Sequence, residues 1–227
     1  MTIKEVNNYR VINLIDGDQI KEAAELINQD KADGVNFNFI RNFPKTIDEI
    51  RTARNIKHIV IHNYPKSWDF DYSVINNLHT LEILNVYTDD RNEINYFNYP
   101  KLKRTALYWR PKAKSLFECR YLKELFIGKY TSTDLLNFEK LNELEYLRIN
   151  TGSIRSLDGI NNLHKIKSLY IMQATKLEDI SGLAELKNLE LIYIDNCKRI
   201  NNIKSLLDLN SKVKISLNGS TPSLNQK

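Results

Sequence analysis

Leu189-Glu190-Leu191-Ile192-Tyr193-Ile194-Asp195-Asn196-Cys197 reads as apolar, two free positions, apolar, one free position, apolar, two more, then cysteine. The same frame is set one copy earlier by Ile166, Leu169 and Ile171, and another copy earlier by Leu144, Leu147 and Ile149. With the middle apolar residue as a mark, the frame recurs at Ile12, Phe37, Ile59, Leu84, Thr105, Leu125, Leu147, Leu169, Ile192 and Ile215. Successive marks lie 25, 22, 25, 21, 20, 22, 22, 23 and 23 residues apart, so a unit of near-constant length fills most of the 227-residue chain. The first copy, the Thr105 copy and the last are the least regular.

The frame resembles the leucine-rich repeat, L-x-x-L-x-L-x-x-N/C-x-L, whose period is roughly 20–29 residues. The connecting segments Ile154 to Leu163 and Leu177 to Leu186 are near copies, each with an aspartate, one glycine and a closing leucine. They are similar to those of short-repeat bacterial leucine-rich proteins of the internalin type. The resemblance is strong over 144–209 and looser over 35–143. It implies an α/β solenoid with a parallel concave β-sheet of about nine to ten strands and short helical or 3-10 segments on the convex side. It covers the repeat alone. No counterpart of the internalin signal peptide, immunoglobulin-like domain or wall anchor is visible, so surface display is not implied.

The chain reads as three parts. Residues 1–34 form an N-terminal strand–helix cap or first repeat. Tyr9, Ile12 and Leu14 give its strand. A helix runs from Asp16 to Asn28, capped by Asp16 or Asp18, with Ile20, Ala23, Ala24 and Ile27 on one face and Gly34 after its end. Residues 35–217 form the repeat array. Its first strand is Val35 to Phe39, followed by a capping box at Thr46-Ile47-Asp48-Glu49 and a short helix through about Ala53. Residues 218–227 are a polar, flexible tail. In each strand the two residues of the L-x-L pair point inward and stack on their counterparts in the next copy. Lys212 and Lys214 beside the last strand discourage pairing with another chain.

Hydrophobic content of 42% and charged content of 27% fit a folded globular chain. A net charge of +5 and a pI near 9.0 are a weak sign of nucleic-acid binding on their own. The N-terminus has no apolar h-region, and no apolar run approaches the roughly 20 residues of a membrane span. A cytoplasmic protein with no membrane partner is therefore expected. Cys119 and Cys197 do not make a disulfide framework, and a structural role is expected of both. No metalloprotease, phosphate-loop or nucleophile-elbow motif occurs. His58 and His62 lie roughly 13 Å apart on a strand and cannot share one ion. Asp69-Phe70-Asp71 and Asp89-Asp90 read as solvated loop acids. No catalytic residue, metal or cofactor is expected.

The register predicts three outward columns on the open face of the sheet. The column within each L-x-L pair includes Phe126, Arg148, Tyr170 and Tyr193 in succession. The column after it includes His62, Tyr87 and Tyr108, with Trp109 and Arg110 just beyond, and later Met172 and Asp195. The column before it includes Arg104, Tyr146 and Leu191. An Arg148 between aromatic side chains would be held by cation–π contact. Exposed Tyr, Trp and Arg are enriched at protein–protein hot spots. The candidate partner-binding set is Tyr87, Arg104, Tyr108, Trp109, Phe126, Tyr146, Arg148, Tyr170, Met172, Tyr193 and Asp195. Two plainer readings remain open: the rings support each other across strands, or Trp109 turns into the core.

The chain is thus expected to be a non-catalytic protein-binding scaffold, a monomer when free. A compact repeat protein of this kind also suits an inhibitor or immunity protein for a cognate toxin or enzyme. The alternative is single-stranded nucleic-acid or polyanion binding through Arg and Tyr of the same face, although Asp89, Asp90, Glu124, Glu190 and Asp195 interrupt any basic stripe.

Overall fold

A computed structural model describes residues 1–37, 41, 47–62, 71–207, 209 and 211–219. The expectations for Asn38, Phe39, Thr46, Asp69, Phe70 and residues 220–227 lie outside these. The chain forms two compact units, Met1–Leu116 and Phe117–Lys227.

The second unit holds the regular copies. Its strands are β7 (Glu124–Tyr130), β8 (Tyr146–Gly152), β9 (Ser168–Met172), β10 (Leu191–Asp195) and β11 (Lys214–Asn218). They are parallel neighbours in sequence order, and the marks pair as expected: Leu125 with Leu147, Leu147 with Leu169, Leu169 with Ile192, and Ile192 with Ile215. Leu125, Leu147, Ile149, Leu169, Ile171, Ile192 and Ile194 are fully buried, each stacked on the equivalent residue of the next copy. Between strands the chain makes short 3-10 turns at Leu136–Phe138, Ile160–Asn162, Ser181–Glu185 and Ile203–Leu206. Phe138, Ile160 and Leu183 bury a second apolar column beneath the strands. The stack thins at β11, where Ile215 is 43% exposed.

A second regularity sits at the strand ends. Lys129, Thr151, Gln173 and Asn196 all have left-handed backbone, with φ of 57°, 55°, 54° and 53°. Each is four residues past its mark. The turn directs the Gln173 amide to the Asp195 carbonyl and the Asn196 amide to the Asn218 carbonyl, both at 2.8 Å. Cys197 follows as a fully buried residue whose thiol contacts the Asp195 carbonyl at 3.4 Å. Burial pushes its pKa up, and burial raises that of Cys119 to about 12. Neither thiol is poised to react.

The first unit holds β1 (Thr2–Val6), β2 (Tyr9–Asn13), α1 (Ile20–Asn28), β3 (Gly34–Asn36), β4 (His58–His62), β5 (Ile83–Tyr87) and β6 (Arg104–Tyr108). From β2 to β6 the strands are parallel. An antiparallel strand absent from the sequence reading, β1, joins β2 through Asn7 and Asn8. Both asparagines have positive φ, 51° and 66°, as a two-residue hairpin turn requires. All five β1 residues are exposed, so the strand carries no alternation to betray it. The Asp16 cap holds: Asp16 and Gln19 form a capping box on a 3-10 turn, Gly17–Gln19, which leads into α1. Ile20, Ala23, Ala24 and Ile27 are its buried face.

One mark is corrected. Ile12 pairs with Val35, and Val35 with Ile59, so Val35 rather than Phe37 occupies the register position. A two-residue slip keeps the same face inward; Val35 and Phe37 are both buried, which is why the larger residue read as the mark. Asn36 therefore stands beside Asn13, its side-chain amide donating to the Asn13 Oδ1 at 3.0 Å. Gly34 falls in the column before the pair, where a Cβ would lie 2.2 Å from the His58 carbonyl oxygen.

Asp89-Asp90 also differs from expectation. Asp90 bonds Arg110 at 2.5 Å with both side chains almost fully buried. The Tyr72 hydroxyl donates to Asp90 at 2.6 Å, and Arg110 Nη2 donates to the Thr88 carbonyl at 2.9 Å. A carboxylate inside the fold is tolerable because a guanidinium and a phenol satisfy it together. Thr105, the irregular mark, is fully buried and donates its hydroxyl to the Leu84 carbonyl at 2.6 Å.

Candidate functional site

On the open face of the second unit, Phe126 on β7 pairs in register with Arg148 on β8, which pairs with Tyr170 on β9, which pairs with Tyr193 on β10. All four are partly exposed. The rings, however, do not follow that column. Tyr146 opposes Glu124 and Ser168 in register, yet its ring reaches diagonally to both neighbours. Its centroid is 5.1 Å from that of Phe126, with planes 20° apart, and 5.1 Å from that of Tyr170, with planes 30° apart. Tyr170 continues to Tyr193 at 5.7 Å and 35°. The small Ser168 leaves room for this diagonal, within reach of a long ring. The Arg148 guanidinium carbon lies 5.3 Å from the Phe126 centroid. Arg148 is thus held over one ring, and Tyr146 occupies the place between rings that the column assigned to it.

The row Phe126–Tyr146–Tyr170–Tyr193 spends its ring faces on itself. Phe126 and Tyr146 are stacked, while Tyr146–Tyr170 and Tyr170–Tyr193 are tilted; each inner ring still has a neighbouring ring on either side, which leaves its edge and hydroxyl as the part open to a ligand. At the far end the Asn218 side-chain amide donates to the Tyr193 hydroxyl oxygen at 2.8 Å, leaving the phenol proton to point elsewhere. Met172 and Asp195 pair with each other on β9 and β10, both half-buried beside the row.

The remaining candidates lie in the first unit. His62 meets Tyr87 edge-to-face at 5.0 Å, and Tyr87 meets Tyr108 at 6.0 Å. Trp109 and Arg104 are half-buried. Arg110 is buried in the Asp90 network and is withdrawn from any surface role. His58 is covered by Tyr9, whose ring meets it edge-on at 5.7 Å and whose hydroxyl donates to Glu82 at 3.0 Å. Burial, with the Arg104 charge nearby, lowers the His58 pKa to about 4, so this histidine is neutral.

A charged column went unread. The residue two before each mark is Arg10, Asp33, Lys57, Glu82 and Lys103 in the first unit, and Lys123, Glu145, Lys167 and Glu190 in the second. Within each unit opposite charges alternate from copy to copy. Asp33 accepts from Arg10 at 2.9 Å and lies 3.4 Å from Lys57; Glu82 pairs with Lys103. Glu145 meets Lys123 at 3.5 Å and Lys167 at 2.7 Å. Aligning that position across copies would have exposed it. Such exposed pairs each contribute little.

Among the described residues no group of three or more His, Cys, Asp or Glu is placed to hold a metal ion, and no helix is long and apolar enough to cross a membrane.

These strands, marks and 3-10 turns define a leucine-rich-repeat fold of the internalin-like, short-repeat type. The comparisons agree on the fold. Internalin C2 (inlC2) from Listeria monocytogenes matches with a TM-score of 0.66 at 18% identity, over 88% of this chain and 91% of that one. An internalin (inlF) from the same species matches with a TM-score of 0.63 at 17% identity, over 85% of this chain; the match spans 56% of that structure's length. The ectodomain of the Arabidopsis receptor kinase HAESA, in complex with a peptide hormone ligand, matches at 0.52 and 16% identity, over 89% of this chain and 38% of that one. No family model matches the sequence. No curated protein matches it either.

Proposed function

We propose that the chain is a non-catalytic scaffold that binds a protein partner on the open face of its second unit. The observation that carries this is the row Phe126–Tyr146–Tyr170–Tyr193 with Arg148 anchored on Phe126. Partly exposed aromatic rings held rigid by one another lose little entropy on binding, and Tyr and Arg are the usual hot-spot types. Tyr146, Arg148, Tyr170 and Tyr193 are the centre of the contact, with Met172 and Asp195 at its rim. The peptide-bound HAESA ectodomain is a precedent for a polypeptide held on this fold. An inhibitor or immunity protein acting on a cognate toxin or enzyme is the specific role that suits such a scaffold.

Single-strand binding through the same face is disfavoured by the geometry. Base stacking needs open ring faces, and the inner rings of the row direct theirs at each other. The test is capture of partners from the native cell on wild type and on Tyr170→Ala plus Tyr193→Ala. Loss of a captured protein with folding intact supports the reading. Retention of every partner contradicts it.

A further inference from the structure

Resting on that reading, we propose that the row's occupant is an acidic polypeptide segment, bound through hydrogen-bond donors rather than by stacking. Three features of the surface have the same sign. Ring edges carry the positive end of the aromatic quadrupole, and the inner rings, Tyr146 and Tyr170, are each flanked by a ring on either side, with centroids 5.1, 5.1 and 5.7 Å apart along the row. Tyr146, Tyr170 and Tyr193 add hydroxyls, and that of Tyr193 is set as a donor because its oxygen already accepts from Asn218 at 2.8 Å. Arg148, held over Phe126 at 5.3 Å, is partly exposed on the same face; its N–H fork matches a carboxylate.

Glu124 and Asp195 also lie on this face. Glu124 pairs in register with Tyr146, and Asp195 with Met172. They set limits to the acidic segment: a carboxylate is accepted over Arg148 and the hydroxyls and repelled beyond them. An acidic ligand of defined length and register is selected over a uniform polyanion such as a nucleic-acid backbone.

The probe is a set of three dye-labelled extended peptides of equal length, bearing glutamate, glutamine or lysine at alternate positions, followed by fluorescence anisotropy. The proteins are wild type, Arg148→Gln, and the triple change Tyr146→Phe, Tyr170→Phe, Tyr193→Phe. The triple change keeps every ring and the net charge, so unspecific attraction to a basic chain predicts no loss from it. The glutamate peptide is expected to bind about tenfold tighter than the glutamine peptide, and each variant to lose about that factor. Equal binding of the three peptides by wild type, or no loss in the triple variant, overturns the proposal. The captured partner separates the two claims. A partner lost by the double alanine change but kept by the triple phenylalanine change leaves the docking surface standing and removes its donor chemistry. A partner kept by both removes the two together.

Discussion

Tyr146 stacks on Phe126, with ring centroids 5.1 Å apart and planes 20° apart, although the two residues are not opposite each other in the sheet. The diagonal reach converts separate side chains into one continuous row. Tyr146 is its joint, touching Tyr170 at 5.1 Å as well. A double-mutant cycle on Tyr146→Ala and Tyr170→Ala is therefore expected to show a coupling of about 0.5–1.5 kcal/mol in unfolding free energy. Additive effects would mean that the two rings do not support each other.

Acid should weaken the first unit in two separate windows. His58 has its pKa lowered to about 4 by burial and by Arg104. Above pH 6.5 it is neutral folded or unfolded, and full stability is present. As the pH falls from about 6.5 towards 4 only the unfolded chain takes up the proton, and up to about 3 kcal/mol is lost. Asp33 has its pKa lowered to about 2, chiefly by the hydrogen bond from Arg10. Its contribution is present above the ordinary carboxylate pKa and disappears as the pH falls towards 2. Denaturant midpoints against pH should show both steps, with His58→Phe removing the upper one and Asp33→Asn the lower.

The left-handed column at the strand ends is a backbone requirement, independent of side-chain packing. Gln173 is exposed, with φ 54°. A β-branched residue there should cost about 1–2 kcal/mol, since Cβ crowds the backbone in that conformation. Gln173→Val is expected to lower the unfolding midpoint and Gln173→Gly to leave it equal or higher. Equal loss in both would place the effect in the side chain and not in the backbone.

A stack that buries its apolar residues by neighbours should be most sensitive in its interior. Leu147 is fully buried between two copies, whereas Ile215 is 43% exposed in the last. Leu147→Ala should cost about 2–5 kcal/mol. Ile215→Ala should cost well under half of that, because much of its surface is never removed from water. Thermal or denaturant unfolding of the two variants checks the ordering.

Most of the fold was legible because one apolar period recurs. The marks from Ile59 to Ile215 stand where the frame put them, and 3-10 turns connect them as the internalin-like segments implied. Two features escaped for physical reasons. β1 is exposed on both faces, so no alternation marks it. Val35 was passed over for Phe37 because a slip of two residues preserves which face is buried. At the candidate site, the columns placed Phe126, Arg148, Tyr170 and Tyr193 in register but did not give their contacts. Register places Cβ atoms; the diagonal path of Tyr146 depends on the small Ser168 beside it and on Arg148 leaning to Phe126. Asp90 and Arg110 were misread because a loop acid and a strand-end arginine carry no sequence sign of meeting at 2.5 Å in the interior.

The central claim is that a protein partner sits on the row from Phe126 to Tyr193. Titration calorimetry of the captured partner against wild type and against Tyr170→Ala plus Tyr193→Ala tests it most directly. The account predicts a loss of at least about 2 kcal/mol, or roughly thirtyfold in Kd, with the variant still folded by circular dichroism. An unchanged Kd on a folded variant would contradict it.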